Sequence, residues 1–428
     1  MPIVGPAPGN LDITFDVDVG EPLMIAGQEQ TAYIKITLGG FALPAAGQRS
    51  PVNLALVLDR SGSMQADGKL EKAKEAALMV LDRLQPDDII SVISYDDTVE
   101  VLVPATKASQ KDQLRERISA LTPRGSTALF AGVARGLEET GKYLDAKRVN
   151  RLVLLSDGQA NVGPRSPNEL GRLGEVAAKQ GISITTIGLG LGYNEDLMTQ
   201  LAMASDGNHG FAENAADLAT MFNHELGDIL SVVVRDVDIE ISFDEGIVPV
   251  RALGRDATIT GRKARIGMSQ LYANQQKFVM FEVKVPPGVA GKKRNIADVT
   301  AKYSNLISKQ AGTKRSVAAV EFSSAKPAIA QRQNKQVIEA AVEAIATDEN
   351  KRAVALRDAG KVAEAEKALK DNAEYLKKQS VQLQSKKLEV YGQKNSVDAK
   401  SVKSESDWNR GRKAMKAQQY KNSNQQSW

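Results

Sequence analysis

The chain has 428 residues, with 56 Lys and Arg against 52 Asp and Glu, and 42% of its residues are hydrophobic, enough for two to four domains with buried cores. It has no cysteine, which excludes disulfides, thiolate metal sites and cysteine nucleophiles, and its two histidines are too few for an imidazole-rich zinc site. A net charge of +4 argues little about partners.

The first residues, Met1-Pro2-Ile3-Val4-Gly5-Pro6, lack the basic stretch and apolar segment of a signal peptide. No apolar run reaches the ~18 residues of a membrane-spanning helix. Both readings predict a cytoplasmic protein without a transmembrane segment. Leu11 to Val19 alternates apolar and polar residues, and Tyr33 to Leu38 does the same, the mark of half-buried strands in an antiparallel sheet.

From Asn53 the pattern changes to strands alternating with helical stretches, as a parallel sheet requires. Strands are predicted near 53–59, 88–95, 98–103, 149–156, 182–188 and 208–213, and helices near 69–84, 109–120, 127–144, 167–180, 194–204 and 215–232. Leu70, Ala73, Ala77, Val80, Leu81 and Leu84 give the first helix one apolar face. Pro167 after Ser166 is a good helix start.

The apolar run Asn53 to Leu58 ends in Asp59-Arg60-Ser61-Gly62-Ser63, which sets a carboxylate and two hydroxyls on the turn after a strand. Alone, such a string is a common turn or helix cap. Two more pieces accompany it. Gly125-Ser126-Thr127 offers the Thr127 hydroxyl before a helix, and Arg151 to Asp157 is a second buried-strand pattern ending in a carboxylate. Asp59 and Asp157 thus stand at the carboxyl ends of strands, the edge at which open α/β sheets bind ligands. Their oxygen ligands suit Mg²⁺, with Mn²⁺ or Ca²⁺ as alternatives.

Asp59-x-Ser61-x-Ser63, Thr127 and Asp157 resemble the metal-ion-dependent adhesion site of the von Willebrand factor type A (VWA) domain. The strings Leu155 to Asn161 and Ile187 to Leu197 are similar to bacterial members grouped with inter-alpha-trypsin inhibitor heavy chains and calcium-activated chloride channel-like proteins. The resemblance implies a Rossmann-like α/β fold with a mostly parallel sheet between two layers of helices. It implies that Ser61 and Ser63 hold the ion directly, that Thr127, Asp59 and Asp157 hold it directly or through water, and that a partner protein's carboxylate completes its shell. Bacterial relatives are associated with AAA+ ATPases or surface assemblies, either of which could supply that partner. The function expected is that of an adaptor or scaffold, not an enzyme. The alternative is a metal-dependent hydrolase or phosphotransferase, for which Asp67, Asp157 or Glu195 would have to serve as general base or nucleophile.

Gly188-Leu189-Gly190-Leu191-Gly192 does not have the spacing of a dinucleotide-binding loop, and no P-loop string occurs, so the glycines predict a flexible loop at the metal rim. His209 is expected in the turn into the last strand and His224 on a helix surface.

After the α/β pattern, strand alternation returns in Val237 to Phe243, Val279 to Val285, Val299 to Tyr303 and Val317 to Phe322. Strands on both flanks predict one antiparallel β-sandwich into which the α/β domain is inserted. Beyond Pro327, apolar stripes at 337–345, a second unit at 348–358 and a third after Gly360 predict a helical hairpin or bundle, with a helix-turn-helix like that of tetratricopeptide repeats at 355–365. From Gly392 the chain is polar and basic, which predicts a flexible tail. Trp408, Tyr420 and Trp428 lie within it, but no nucleic-acid module surrounds them, so no specific nucleic-acid partner is expected. The expected organisation is 1–49 for the first sandwich strands, 50–232 for the metal-site domain, 233–325 for the remaining strands, 326–391 for the hairpin or bundle, and 392–428 for the tail.

Overall fold

The computed structural model describes residues 11–43 and 49–428. The reading of the first six residues therefore falls outside the described part. Two compact units divide the chain. One spans residues 43–235 with 306–309 and Trp428, and the other takes the described part of 1–42 together with 236–305 and 310–427.

The first unit is an α/β sheet. Its strands are β4 (Val52–Asp59), β5 (Ile89–Tyr95), β6 (Val99–Lys107), β7 (Val149–Ser156), β8 (Ile182–Leu189) and β9 (His209–Ala212), in the order β6-β5-β4-β7-β8-β9. All pairs are parallel except β5 with β6. Every position of β4, β5, β7 and β8 is buried, as expected of strands covered on both faces. Its helices are α1 (Lys69–Arg83), α2 (Lys111–Ser119), α3 (Leu129–Gly141), α4 (Pro167–Lys179), α5 (Glu195–Ala204) and α6 (Asp217–Leu230). Leu129 and Val133 of α3, Leu170 of α4 and Leu197 of α5 form one cluster with Val57, Leu152 and Ile184 of the sheet. Ser166 caps α4 as its sequence suggests, with a reciprocal bond from the Ser166 N–H to Glu169.

The chain passes from β4 to β5 on one side of β4 and later adds β7 on the other side. The crevice at the carboxyl ends of β4 and β7 is thus the point where the strand order reverses. Leu58 pairs with Leu155, so Asp59 and Ser156 leave the sheet side by side.

In the second unit, β1 (Thr14–Val19), β3 (Gln30–Gly39), β11 (Val248–Leu253) and β14 (Gln276–Val285) form a sheet in the order β1-β3-β14-β11. The other sheet is β12-β13-β10-β15-β16-β2, built from β2 (Leu23–Ile25), β10 (Val232–Phe243), β12 (Thr258–Thr260), β13 (Lys263–Tyr272), β15 (Lys293–Asn305) and β16 (Gln310–Ser323). Phe243 of one sheet meets Phe281 of the other edge to face, with ring centroids 5.8 Å apart. Each sheet combines strands from before and after the α/β unit, so the insertion read from the sequence is the arrangement of the fold. The strands β2, β11, β12 and β13 were not expected.

The same unit carries α7 (Lys326–Gln331), α8 (Lys335–Asp358), α9 (Val362–Leu383), α10 (Lys386–Ser401) and α11 (Glu405–Asn424). The stripes at 337–345 and 348–358 are one continuous helix, and Gly360, with φ +78°, makes the turn into α9. Residues 392–428, expected as a flexible tail, instead contain most of α10 and all of α11. Trp408 and Met415 pack with Val354, Leu369 and Val402. Polar residues satisfy one another in the same interior: Gln419 donates to Asn350 at 2.7 Å, and Asn350 and Asn372 each donate to Asn395 at 3.0 Å. Mean polarity misjudges such a segment because buried amides that bond each other can sit in a core. No helix among the described residues is long and apolar enough to cross a membrane.

Candidate metal centre

Asp59 is the last residue of β4 and is fully buried. One carboxylate oxygen accepts the Ser61 N–H at 2.8 Å and the other accepts the Ser156 hydroxyl at 2.8 Å. Burial pushes its carboxyl up to about 6, the Asp157 charge adds to this, and the bonds from Ser61 and Ser156 oppose it. From the same turn, the Ser61 and Ser63 hydroxyls lie 3.0 Å apart, and Ser63 donates to Asp157 Oδ1 at 2.6 Å. The second Asp157 oxygen accepts the Lys69 ammonium at 2.7 Å.

Thr127 lies in the loop before α3. Its N–H donates to Asn161 Oδ1 at 2.8 Å, and its carbonyl accepts the Asn161 N–H at 3.2 Å. A Cβ at Gly158 would lie 3.2 Å from the Thr127 hydroxyl and 3.7 Å from that of Ser63, so both hydroxyls converge on the bare backbone after Asp157. The Gly62 N–H bonds the Gly125 carbonyl at 3.0 Å and ties the two hydroxyl-bearing loops together. The five residues singled out in the sequence therefore meet at one crevice.

The surroundings were not legible in the sequence. Arg60 points away from the hydroxyls and bonds Asp96 at 2.8 Å, and Arg124 bonds the same oxygen at 2.8 Å. Burial alone would raise the Asp96 carboxyl, yet the bonds from Arg124 and Thr98 and the charge of Arg60 hold it well below the usual range. This network braces the loops at 60 and 124. The glycine-rich loop lies at the rim as expected. Its glycine is needed for close approach, since a Cβ at Gly192 would fall 2.7 Å from the Asp157 carbonyl oxygen. His209 is buried at the start of β9 and bonds Thr186 at 2.8 Å, whereas His224 is exposed on α6.

The donor set is two carboxylates and three hydroxyls, all hard oxygen ligands. Among the described residues no group of three or more His, Asp and Glu is placed to hold a metal ion. Hydroxyls must therefore supply part of any shell here, and the converging oxygens of Ser61, Ser63 and Thr127 fit that need. Asp67 is exposed, and Glu195 is buried at the first turn of α5.

Residues 53–225 match the von Willebrand factor type A domain family. A protein of Synechocystis sp., described as "Uncharacterized protein sll0103", is 34% identical over 176 residues, covering 41% of this chain and 41% of its own length. Human inter-alpha-trypsin inhibitor heavy chain H3 is 30% identical over 216 residues, 48% of this chain and 23% of the human protein. The chain thus spans less than half the length of either curated relative. A solved structure described as von Willebrand factor type A from Catenulispora acidiphila superposes with a TM-score of 0.72 at 16% identity, covering 91% of this chain and 89% of the other.

Proposed function

Residues 53–225 are a von Willebrand factor type A domain, and from that premise we propose that the chain is a Mg²⁺-dependent protein-binding module, an adaptor or scaffold whose metal is held by Asp59, Ser61, Ser63, Thr127 and Asp157. The observation that carries this reading is the hydrogen-bonded run Asp59, Ser61, Ser63, Asp157 at the point where the strand order reverses. Bound there, the ion supplies a Lewis-acidic position for a carboxylate of the partner protein.

The chain's own residues prepare that position. Ser156 and the Ser61 N–H fix both oxygens of Asp59, and Ser63 fixes one oxygen of Asp157. Carboxylates held in this way are fixed in orientation, which supports the binding of a ligand. The partner is a protein presenting an acidic side chain, with AAA+ ATPases and surface assemblies as the classes that the family resemblance implies. Affinity capture from native lysate with Mg²⁺, with chelator, and with Asp59→Ala tests this. A partner held only by the wild-type chain in Mg²⁺ is expected, and a partner held equally in all three arms contradicts it.

A further inference from the structure

The sandwich-and-helix unit contains a cavity of about 560 Å³ between the β3 and β14 side of the four-stranded sheet and helices α8, α10 and α11. Five lysines line it, Lys35, Lys386, Lys387, Lys394 and Lys421, against the single carboxylate of Glu343. Glu343 is taken by Lys387 at 2.7 Å, and Lys386 pairs with Glu389 at 3.1 Å. Lys394 donates to the neutral Gln418 at 2.6 Å, and the Lys35 ammonium lies 4.6 Å above the Phe278 ring. Among the described residues, Lys35, Lys394 and Lys421 have no carboxylate in salt-bridge reach.

These ammonium groups also act on one another. Burial lowers Lys35 from the usual lysine range, with the charges of Asp18, Glu339 and Glu343 opposing it and that of Lys387 adding to it, and burial with the charges of Lys394 and Lys387 lowers Lys421. Positive charge in excess in a concave site, five lysines to one carboxylate, is relieved by an anion. The volume is that of a small-molecule site and too small for a folded partner. Lysines bind phosphate as point charges, and no arginine lines the cavity to select a planar carboxylate.

We propose that this cavity binds a small polyphosphate, whose charge is met by Lys35, Lys394 and Lys421. The site is separate from the metal centre and does not depend on the function proposed for it. The basic stretch that reads as a tail in the sequence is thereby assigned a role, since Lys394 and Lys421 belong to it.

Isothermal titration of the full chain in metal-free buffer tests this, with ATP and inorganic tripolyphosphate in separate arms. Saturable binding is expected for at least one of them, weakened about tenfold or more by Lys394→Gln combined with Lys421→Gln. Preference for ATP identifies a nucleotide, and equal binding of tripolyphosphate identifies the phosphate chain alone. Asp59→Ala should bind as wild type, and the double variant should still melt cooperatively. Absence of binding in both arms overturns the proposal. So does undiminished affinity in the double variant, a matching response to sulfate at equal ionic strength, or tighter binding of a single-stranded oligonucleotide than of either probe.

Discussion

The Lys69 ammonium lies 2.7 Å from Asp157 Oδ2, within the site that Asp59, Ser61 and Ser63 complete. A monovalent cation of the chain's own thus already neutralises one carboxylate of the donor set. Lys69 repels a divalent ion bound at the hydroxyls, an effect that solvent at this partly exposed side chain screens to roughly 1 kcal/mol. Lys69→Gln should therefore tighten Mn²⁺ binding about fivefold while lowering the melting temperature of the metal-free chain, because Asp157 loses its partner. Titration and melting of the same two proteins check both signs, and weaker binding in the variant would refute the competition.

A second expectation concerns the rim loop. Gly192→Ala places a methyl group where the Asp157 carbonyl now approaches to 2.7 Å, and neither group is the end of a flexible side chain. The backbone at Asp157 must shift, so both melting temperature and Mn²⁺ affinity should fall. Gly163→Ala is no substitute control because its φ is +78°. Gly141→Ala, with open space around its Cβ position, is the suitable one and should leave metal affinity unchanged.

Trp408 tests the helical end of the chain. It is buried against Val354, Leu369 and Met415. Trp408→Ala should cost about 3–5 kcal/mol of the stability of its unit. Limited proteolysis should then cut between 386 and 424, where α10 and α11 should leave the wild type uncut. Equal cleavage in both proteins would restore the flexible tail.

Asp398 gives the chain a pH signature. Burial pushes its carboxyl up to about 7, against the Asn350 hydrogen bond and the Lys394 charge. The unfolded chain loses this proton near pH 4, whereas the folded chain keeps it to about 7. The folded state therefore holds the extra proton across that window, and this group's contribution to stability falls as pH rises from about 4 to about 7, then levels. Asp398→Asn should remove that slope, so its stability relative to wild type should rise between pH 4.5 and pH 8. Urea melts at both values measure the difference, and a constant difference would contradict it.

The convergence of the five residues was legible because each sits in a short string at a strand end or before a helix, positions that the parallel sheet brings to one edge. Lys69 was not, since its meeting with Asp157 is made across 88 positions of sequence and exists only once β4 and β7 are paired. The sandwich was legible where alternation was long, as in β3 and β16. Strand β13 was overlooked although Ala264, Ile266 and Met268 alternate inward, because glycine and charged residues stand between them. The last helices were hidden for a different reason. Asn350, Asn372, Asn395 and Gln419 are polar residues used as core, and their suitability for burial depends on partners from other helices.

The central claim is that these five oxygen-bearing residues hold one divalent ion. Calorimetric titration of Mg²⁺ into the chelator-stripped chain, beside Asp59→Ala, tests it most directly. The account predicts one equivalent bound by the wild-type chain and none by a variant that still melts cooperatively. Equal binding by both proteins, or no binding by either, would contradict it.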